Sequence, residues 1–478
     1  MLVVAGSAEV GTIHDWAPAP GSVVTWHPSR PSLAKARQAP VSVVPPSYMQ
    51  AQHLRGYVEF RNRGLDYSRA VIGSWDLPGR CDIRAMTHVI NRHLRRHDTY
   101  RSWFEYTDDE QIIRHTISDP ADINFVPTKH GEMTAVELRK LLLDTPDPLQ
   151  WDCFSFGIIQ HADHFTVYGG VDHLHCDPGL LAVFYVEIFM MYGALVRGAA
   201  PIPLPEPGSY DEYCIRQRES TSALTLDSPE VRRWIEFAES NDGTLPTFPL
   251  PLGDRTTSCG GGVLTARLMD EDQTARFESA CISAGARFSG GIFAAVASAQ
   301  YNLTGVETYH GITPVDRRSS PSDFLTTGWF TGTVPFSVPV SPSFGETARA
   351  AQISFDSNTD LASVPFARVL ELAPWLTRPG HDSSMLNFMD ASLPPLSAMV
   401  SAQVQKTKAG NYCDGRMPAH FYMAVGRAFD ETSIGVFFPD NPVARESVTA
   451  YIEAVKSVCH RIVEGHDEVV ALRNVAQV

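Results

Sequence analysis

The stretch HFTVYGGVDHLHCDPGLLAVFYVEIFMMY, His164 to Tyr192, decides how the rest of the chain is read. Its first part, His164 to Val171, predicts a strand. The chain then passes through Asp172-His173-Leu174-His175-Cys176-Asp177 and enters an apolar run, Leu180 to Val196. Asp177 and Pro178 make a strong helix start, an Asp at the cap and a Pro in the first turn. The run is 17 residues long and contains Glu187, too short and too polar to span a bilayer, so it predicts a buried helix. His173 therefore stands between a strand end and a helix N-terminus. The positive end of the helix dipole favours neutral imidazole there, the form a general base needs near neutral pH.

On the residues alone, other readings of this loop stay open. His173 is as compatible with a core histidine as with a catalyst. His173, His175 and Cys176 could begin a metal site, although no third and fourth ligand is evident nearby. Cys176 could be a nucleophile, marked only by its place at a helix end. Asp177 could be a cap and nothing more.

Outward from this loop, 478 residues exceed what one hydrophobic core usually serves, so two lobes are expected. With 44% apolar and 19% charged residues the chain is globular, not disordered. Its 39 Lys and Arg against 54 Asp and Glu give a net charge of −15, which excludes nucleic acid as a partner and requires any anionic ligand to find a local basic pocket. Eight cysteines without a CxxC pair read as reduced intracellular thiols. The N-terminal stretch has no basic n-region, and no transmembrane segment is expected. The expected location is cytoplasmic.

Prolines divide the chain. Residues 17–46 read as an extended lead-in, Pro201 to Gly208 as a stiff connector, and Asn241 to Gly262 as a loose region. The lobe boundary is placed near 225–260, giving an N-terminal lobe 1–225 that carries the histidine loop and a C-terminal lobe 226–478. Helices are predicted from a Ser47 cap to Phe60, over Asp82 to Arg96, over 270–284 and 289–302, and over 443–463. Strands are predicted over Gln111 to Ile117, Gln150 to Gln160, His164 to Val171, Gly262 to Met269 and Ser433 to Phe438. The class is α/β or α+β, with mixed sheets in both halves. His93 and His97 lie four apart on a helix with Arg92, Arg95 and Arg96. The segment HLRRH lacks the Glu of HExxH, so it reads as a solvated or structural basic face, with an anionic donor patch as the alternative.

The loop Asp172 to Asp177 resembles the H-H-x-x-x-D-G signature of the condensation-domain and coenzyme A-dependent acyltransferase superfamily. Its companions follow in order. Ser47-Tyr48-Met49-Gln50 is similar to the opening S-x-x-Q, and Arg96-His97-Asp98-Thr99-Tyr100-Arg101-Ser102-Trp103-Phe104 to R-H-E-x-L-R-T-x-F. Tyr210-Asp211-Glu212-Tyr213 with Gln217-Arg218-Glu219 resembles Y-x-D-Y-x-x-W-Q-R-E. Thr313 to Arg318 with Gly328 to Pro335 is similar to P-V-x-G-R … G-x-F-x-N-T-x-P, and Val364-Pro365-Phe366 to D-V-P-F. Within the superfamily the chain is most similar to mycobacterial polyketide-synthase-associated acyltransferases acting on trehalose glycolipids. That likeness rests on His14-Asp15-Trp16, Pro45-Pro46-Ser47-Tyr48, Trp151 to Phe154, Phe388 to Leu396 and Phe438 to Pro442. Two positions depart: Asp172 replaces the first His, and Pro178 stands at the usual Gly, with Gly179 next.

The resemblance implies two chloramphenicol-acetyltransferase-like lobes with a central channel and His173 near its middle. It implies an O-acyltransferase that moves a long-chain acyl group from acyl-CoA or a carrier-protein thioester to a hydroxyl of trehalose or a trehalose-based glycolipid. His173 is the implied base. Asp177 is the implied loop holder, with Arg318 as its ion-pair partner and Arg317 as the fallback. Asp172 and Gly179 support the loop, and Trp329, Tyr210 and Arg317 line the channel. No metal or cofactor is implied. No acyl-enzyme is expected, because Arg287 stands where the first Gly of G-x-S-x-G would be needed before Phe288-Ser289-Gly290-Gly291. A polyketide synthase or lipid transporter is the implied protein partner, at the inner face of the plasma membrane. The competing readings are a condensation-type enzyme acting on a carrier protein and a catalytically silent scaffold in lipid synthesis.

Overall fold

The computed structural model describes residues 9–67, 69–177, 179–198, 203–254, 260–380, 383–392, 407–416, 421–428 and 431–468. Among the described residues the two largest apolar cores organise it, one built mainly from the first half and one from the second. Together with its structural relatives, described below, this makes it a mixed α/β protein of two chloramphenicol-acetyltransferase-like lobes.

The first lobe is built on a seven-stranded mixed sheet, in the order Glu9–Thr12, Gly410–Cys413, Ala70–Pro78, His164–Asp172, Phe154–Gln160, Gly21–Pro28, Phe125–Met133. The strand His164–Asp172 is buried from Phe165 onward and pairs antiparallel with both neighbours, which fixes its C-terminal end in space. The helix Gly179–Val196 leaves that end. Leu180, Phe184, Ile188 and Tyr192 recur every four residues and are all buried in the first core, while Val186 and Phe189 on the other side are partly exposed. The apolar run is thus a core helix. Among the described residues no single helix is long and apolar enough to cross a membrane, although the bent pair Glu271–Ser283 and Phe288–Thr304 passes by length and composition.

The second lobe has a four-stranded sheet, in the order Leu386–Asp390, Tyr422–Arg427, Glu431–Pro439, Gly261–Asp270. Helices Phe288–Thr304 and Pro442–Val463 bury their faces in its core. A hairpin, Thr308–Asp316 paired with Thr331–Pro339, sends its connecting loop 317–330 towards the histidine loop of the first lobe.

Three expectations change. The lead-in 17–46 is not simply extended: it holds the strand Gly21–Pro28 and the helix Arg30–Arg37, which Ser29 caps with Pro31 tolerated in its first turn. The strand predicted from Gln150 starts only at Phe154, because Gln150 closes a turn on Asp147 and Trp151 turns inward to donate its indole N–H to the Tyr100 carbonyl. Finally, Gly410–Cys413, assigned by sequence to the second lobe, lies inside the first lobe's sheet, between Glu9–Thr12 and Ala70–Pro78. Of the quoted motif Phe388 to Leu396, residues 393–396 lie outside the described residues, as does Pro178.

Candidate active site

His173 opens a single turn of 3₁₀ helix, His173–His175, directly after the strand His164–Asp172. Its backbone N–H donates to the Arg69 carbonyl at 2.6 Å. The helix Tyr48–Asn62 is fixed against this turn through a capping box: Ser47 Oγ accepts from the Gln50 amide, and Gln50 Oε1 accepts from the Ser47 amide. The Gln50 side-chain amide then donates to the Leu174 carbonyl at 3.0 Å. The S-x-x-Q motif is therefore a cap that also holds the histidine loop.

The His173 ring lies 4.0 Å, centroid to centroid, from the indole of Trp329. Its Nδ1 is enclosed without a hydrogen-bond partner among the described residues, while the residue as a whole keeps some exposure. Burial, aided by the neighbouring His53, lowers its pKa to about 3, so the ring is neutral across the physiological range. A neutral imidazole on a loop held from several sides can accept a proton.

Asp177 does not face His173's chemistry. Its carboxylate meets Arg318 in a two-pronged pair, Nη1 to Oδ2 at 2.9 Å and Nη2 to Oδ1 at 3.0 Å. Oδ1 also accepts from the Gly179 amide and Oδ2 from the Phe330 amide, both at 2.9 Å. Arg318 is held in turn by the carbonyls of Asp323 and Thr326 and lies over the Phe330 ring. One buried carboxylate thus starts the core helix and ties the first lobe to the loop 317–330 of the second. Arg317 takes no part in the pair; its backbone N–H donates to the Phe330 carbonyl.

Gly179 is small for a reason visible at this pair. A Cβ there would lie 3.0 Å from both Arg318 Nη2 and Asp177 Oδ1. Gly179→Ala is expected to push the pair apart and cost about 1–3 kcal/mol, as overpacking usually does. Urea unfolding of the variant checks this, and an unchanged midpoint would mean the pair yields without loss.

Asp172 is fully buried and holds three groups. Oδ1 accepts from His53 Nε2 at 2.8 Å and from the Leu174 amide at 2.9 Å, and Arg69 Nη1 lies 3.5 Å from Oδ2. Burial alone would raise its pKa, but His53 and Arg69 outweigh this and hold it below the usual carboxylate range. His53 and Arg69 were not singled out from the sequence. The available signal was Asp172 itself, since an acid at a buried histidine position needs cationic or donor partners. His53 also packs its ring edge on Trp329, 5.6 Å away.

The rival readings of the loop do not fit their surroundings. His175 is buried among Tyr100 and Phe154, 3.1 Å from Thr99 Oγ1, and its pKa is lowered to about 4 by burial. The Cys176 thiol is fully buried and burial pushes its pKa well above the usual value, the reverse of an activated nucleophile. The described cysteines are all unpaired. His93 and His97 are buried, not a solvated face. With Glu187 they form a cluster whose ligand-type atoms lie within 4.8 Å of one another. Each ring already has partners: His93 Nδ1 donates to Glu187, His97 Nε2 lies 3.2 Å from the same oxygen, and His97 Nδ1 accepts from the Thr327 amide. Arg96 donates to the other Glu187 oxygen at 2.7 Å. A guanidinium on the shared carboxylate suits a closed polar network better than a cation site.

Three more motif residues are structural. Asp98 accepts from Ser209 Oγ and the Tyr210 amide, capping the helix Tyr210–Ser222, and Asp211 pairs with the buried Arg114. Tyr210 has no exposed surface; its hydroxyl donates to Ser47 Oγ at 2.9 Å and reaches the Trp329 carbonyl at 3.3 Å. It ties the cap of one helix to the Trp329 segment and does not line open space.

A profile of the condensation domain matches residues 67–375. The chain is 58% identical over 461 residues to the 2'-acyl-2-O-sulfo-trehalose (hydroxy)phthioceranyltransferase PapA1 of Mycobacterium tuberculosis, covering 96% of this chain and 90% of that one. It is 54% identical over 460 residues to the trehalose-2-sulfate acyltransferase PapA2 of the same species, covering 95% and 97%. The solved structure of a PapA2 acyl transferase superposes with a TM-score of 0.92 over 96% of this chain and 100% of that one, at 54% identity. The condensation domain of the monacolin K polyketide synthase MokA superposes at 0.68 with 14% identity over 90% and 100%, a likeness of fold alone.

Proposed function

The chain belongs to the condensation-domain family and is an acyltransferase, and on that premise we propose that it moves a long-chain fatty acyl group onto a hydroxyl of trehalose or a trehalose-based glycolipid. The donor is an acyl-CoA or a carrier-protein thioester. The acceptor class follows the names of its relatives, two of which act on sulfated trehalose.

The observation that carries this reading is His173, part-exposed against the Trp329 indole on a loop pinned from both lobes. His173 takes the proton of the attacking hydroxyl as the oxygen adds to the thioester carbonyl. The tetrahedral intermediate collapses, the carbon–sulfur bond breaks, and the imidazolium returns its proton to the leaving thiolate. A neutral base contributes roughly 10²–10⁴-fold, and fixed positioning supplies much of the rest. No nucleophile is required. Cys176, the only thiol in the loop, is sealed in the core, which supports direct transfer over an acyl-enzyme. The reaction takes place in the cytoplasm, peripherally at the inner membrane face, with a polyketide synthase or lipid transporter as neighbouring partner.

Incubation with palmitoyl-CoA and either trehalose or trehalose 2-sulfate tests the proposal. Thiol release that depends on the acceptor and matches ester formation one to one, by mass spectrometry, is the expected result. Release without an acceptor would mean a thioesterase, and ester formation with no turnover of thioester would contradict the scheme. A silent scaffold would release no thiol with any donor.

A further inference from the structure

A cavity of about 690 Å³ opens where the C-terminal half of the helix Tyr48–Asn62 meets a segment of the second half of the chain. Arg55, Arg61 and Arg63 come from that helix and its C-cap, and Arg378 comes from the other half, after the helix Phe366–Leu372. In a chain of net charge −15, four guanidinium groups around one cavity are a local exception.

Three carboxylates, Glu59, Asp108 and Glu110, line the same cavity and offset only part of this charge. Glu59 pairs with Arg63 at 3.6 Å. Asp108 and Glu110 are exposed on the turn between the strands Ser102–Tyr106 and Ile112–Thr116, and neither forms an ion pair with these arginines among the described residues. Arg55, Arg61 and Arg378 make no ion pair or side-chain hydrogen bond among the described residues. Arg55 is half-buried, so its charge loses solvent without gaining a partner, which disfavours the empty state. Guanidinium groups converging from two directions match the several acceptor oxygens of a phosphate or sulfate ester better than a lone carboxylate.

The position also suits a substrate group. The helix that carries these arginines presents His53 beside Trp329, which covers His173. Arg55 and Arg61 lie two and eight residues beyond His53, roughly 3–12 Å further along the helix axis and turned about 200° and 80° from it, so the cavity lies outside the His173 pocket, at a distance that a long substrate spans.

We propose that this cavity is a subsite for a tetrahedral oxyanion ester, a phosphate or sulfate carried by one of the two substrates, gripped by Arg55, Arg61 and Arg378. The inference rests on the acyltransfer reading above, because it takes the anion to belong to donor or acceptor. Phosphate on the donor and sulfate on the acceptor share the chemistry, and the experiment separates them.

Arg61→Ala and Arg378→Ala remove exposed, unpaired groups and are expected to keep the wild-type melting temperature; Arg55→Ala completes the set. In the donor arm, KM for palmitoyl-CoA is compared with KM for palmitoyl-pantetheine, which lacks phosphate. In the acceptor arm, trehalose 2-sulfate is compared with trehalose. Loss of charge-assisted hydrogen bonds predicts a rise of about ten-fold or more in KM for one charged substrate, with its uncharged counterpart unchanged. The arm that responds identifies the source. Equal KM values in all variants, or equal changes for charged and uncharged forms, would overturn the subsite. Calorimetric binding of adenosine 3′,5′-bisphosphate and of trehalose 2-sulfate provides a reading without turnover. If no acyl transfer occurs at all, the acyltransfer reading fails, whereas the subsite fails only if neither ligand binds or neither depends on the three arginines.

Discussion

Replacing His173 by Ala is expected to lower acyl transfer by roughly 10²–10⁴-fold while leaving the fold intact. Among the described residues the side chain donates no hydrogen bond that holds the loop: the loop is held by the His173 backbone, by Gln50 and by Asp172. The defect should therefore fall on kcat, with KM for donor and acceptor little changed. The pH profile gives a second test. Burial lowers the His173 pKa from 6.5 to about 3, so the base is already neutral at pH 5. Wild-type kcat/KM, which reports the free enzyme, is then expected to stay flat from pH 8 down to about 5, without the loss near 6.5 that a solvent-exposed histidine would give. The sign for stability agrees: the unfolded histidine takes up a proton below 6.5 and the folded one does not, so stability is full above 6.5 and falls as the pH drops towards 3. A His173→Ala variant as fast as wild type would remove the residue from the reaction.

The second large effect belongs to the pair joining the lobes. Arg318→Met leaves the Asp177 carboxylate buried without its counter-ion, whereas Asp177→Leu leaves Arg318 its 3.2 Å contact with the half-exposed Asp316. The first is expected to cost about 3–5 kcal/mol in urea unfolding, the usual penalty for an uncompensated buried charge, and the second less. The double variant should cost less than the sum of the two, since no lone charge remains. It should not return to wild type, because the Gly179 and Phe330 amides still lose their acceptor. A loss below 1 kcal/mol for either single change would mean that the pair is incidental to the fold.

Much of this was legible in the sequence because it is local. The strand end, the Asp177 cap and the four-residue stripe Leu180, Phe184, Ile188 and Tyr192 are all contained within one stretch of chain. Arg318 was reached through a motif, and its contact with Asp177 spans 141 residues. What stayed hidden depends on where distant segments meet. His53 and Arg69 reach Asp172 across 119 and 103 positions, with no periodicity to announce them. Tyr210 sits in a motif that suggests a binding surface, yet its hydroxyl is used up on a cap and a carbonyl. His93 and His97 look like a charged helix face until Glu187, buried on a facing helix, shows why they turn inward.

The strand Gly410–Cys413 has a consequence for how the molecule is made. It separates Glu9–Thr12 from Ala70–Pro78, so the first lobe's sheet cannot close until residue 413 has been synthesised. On a ribosome, the growing N-terminal half carries an open strand edge at Ala70–Pro78, the kind that invites pairing with other chains. Neither half is a self-sufficient unit in this sense. A fragment ending near residue 225 would lack its closing strand, and its solubility would depend on a chaperone or on the missing half supplied in trans.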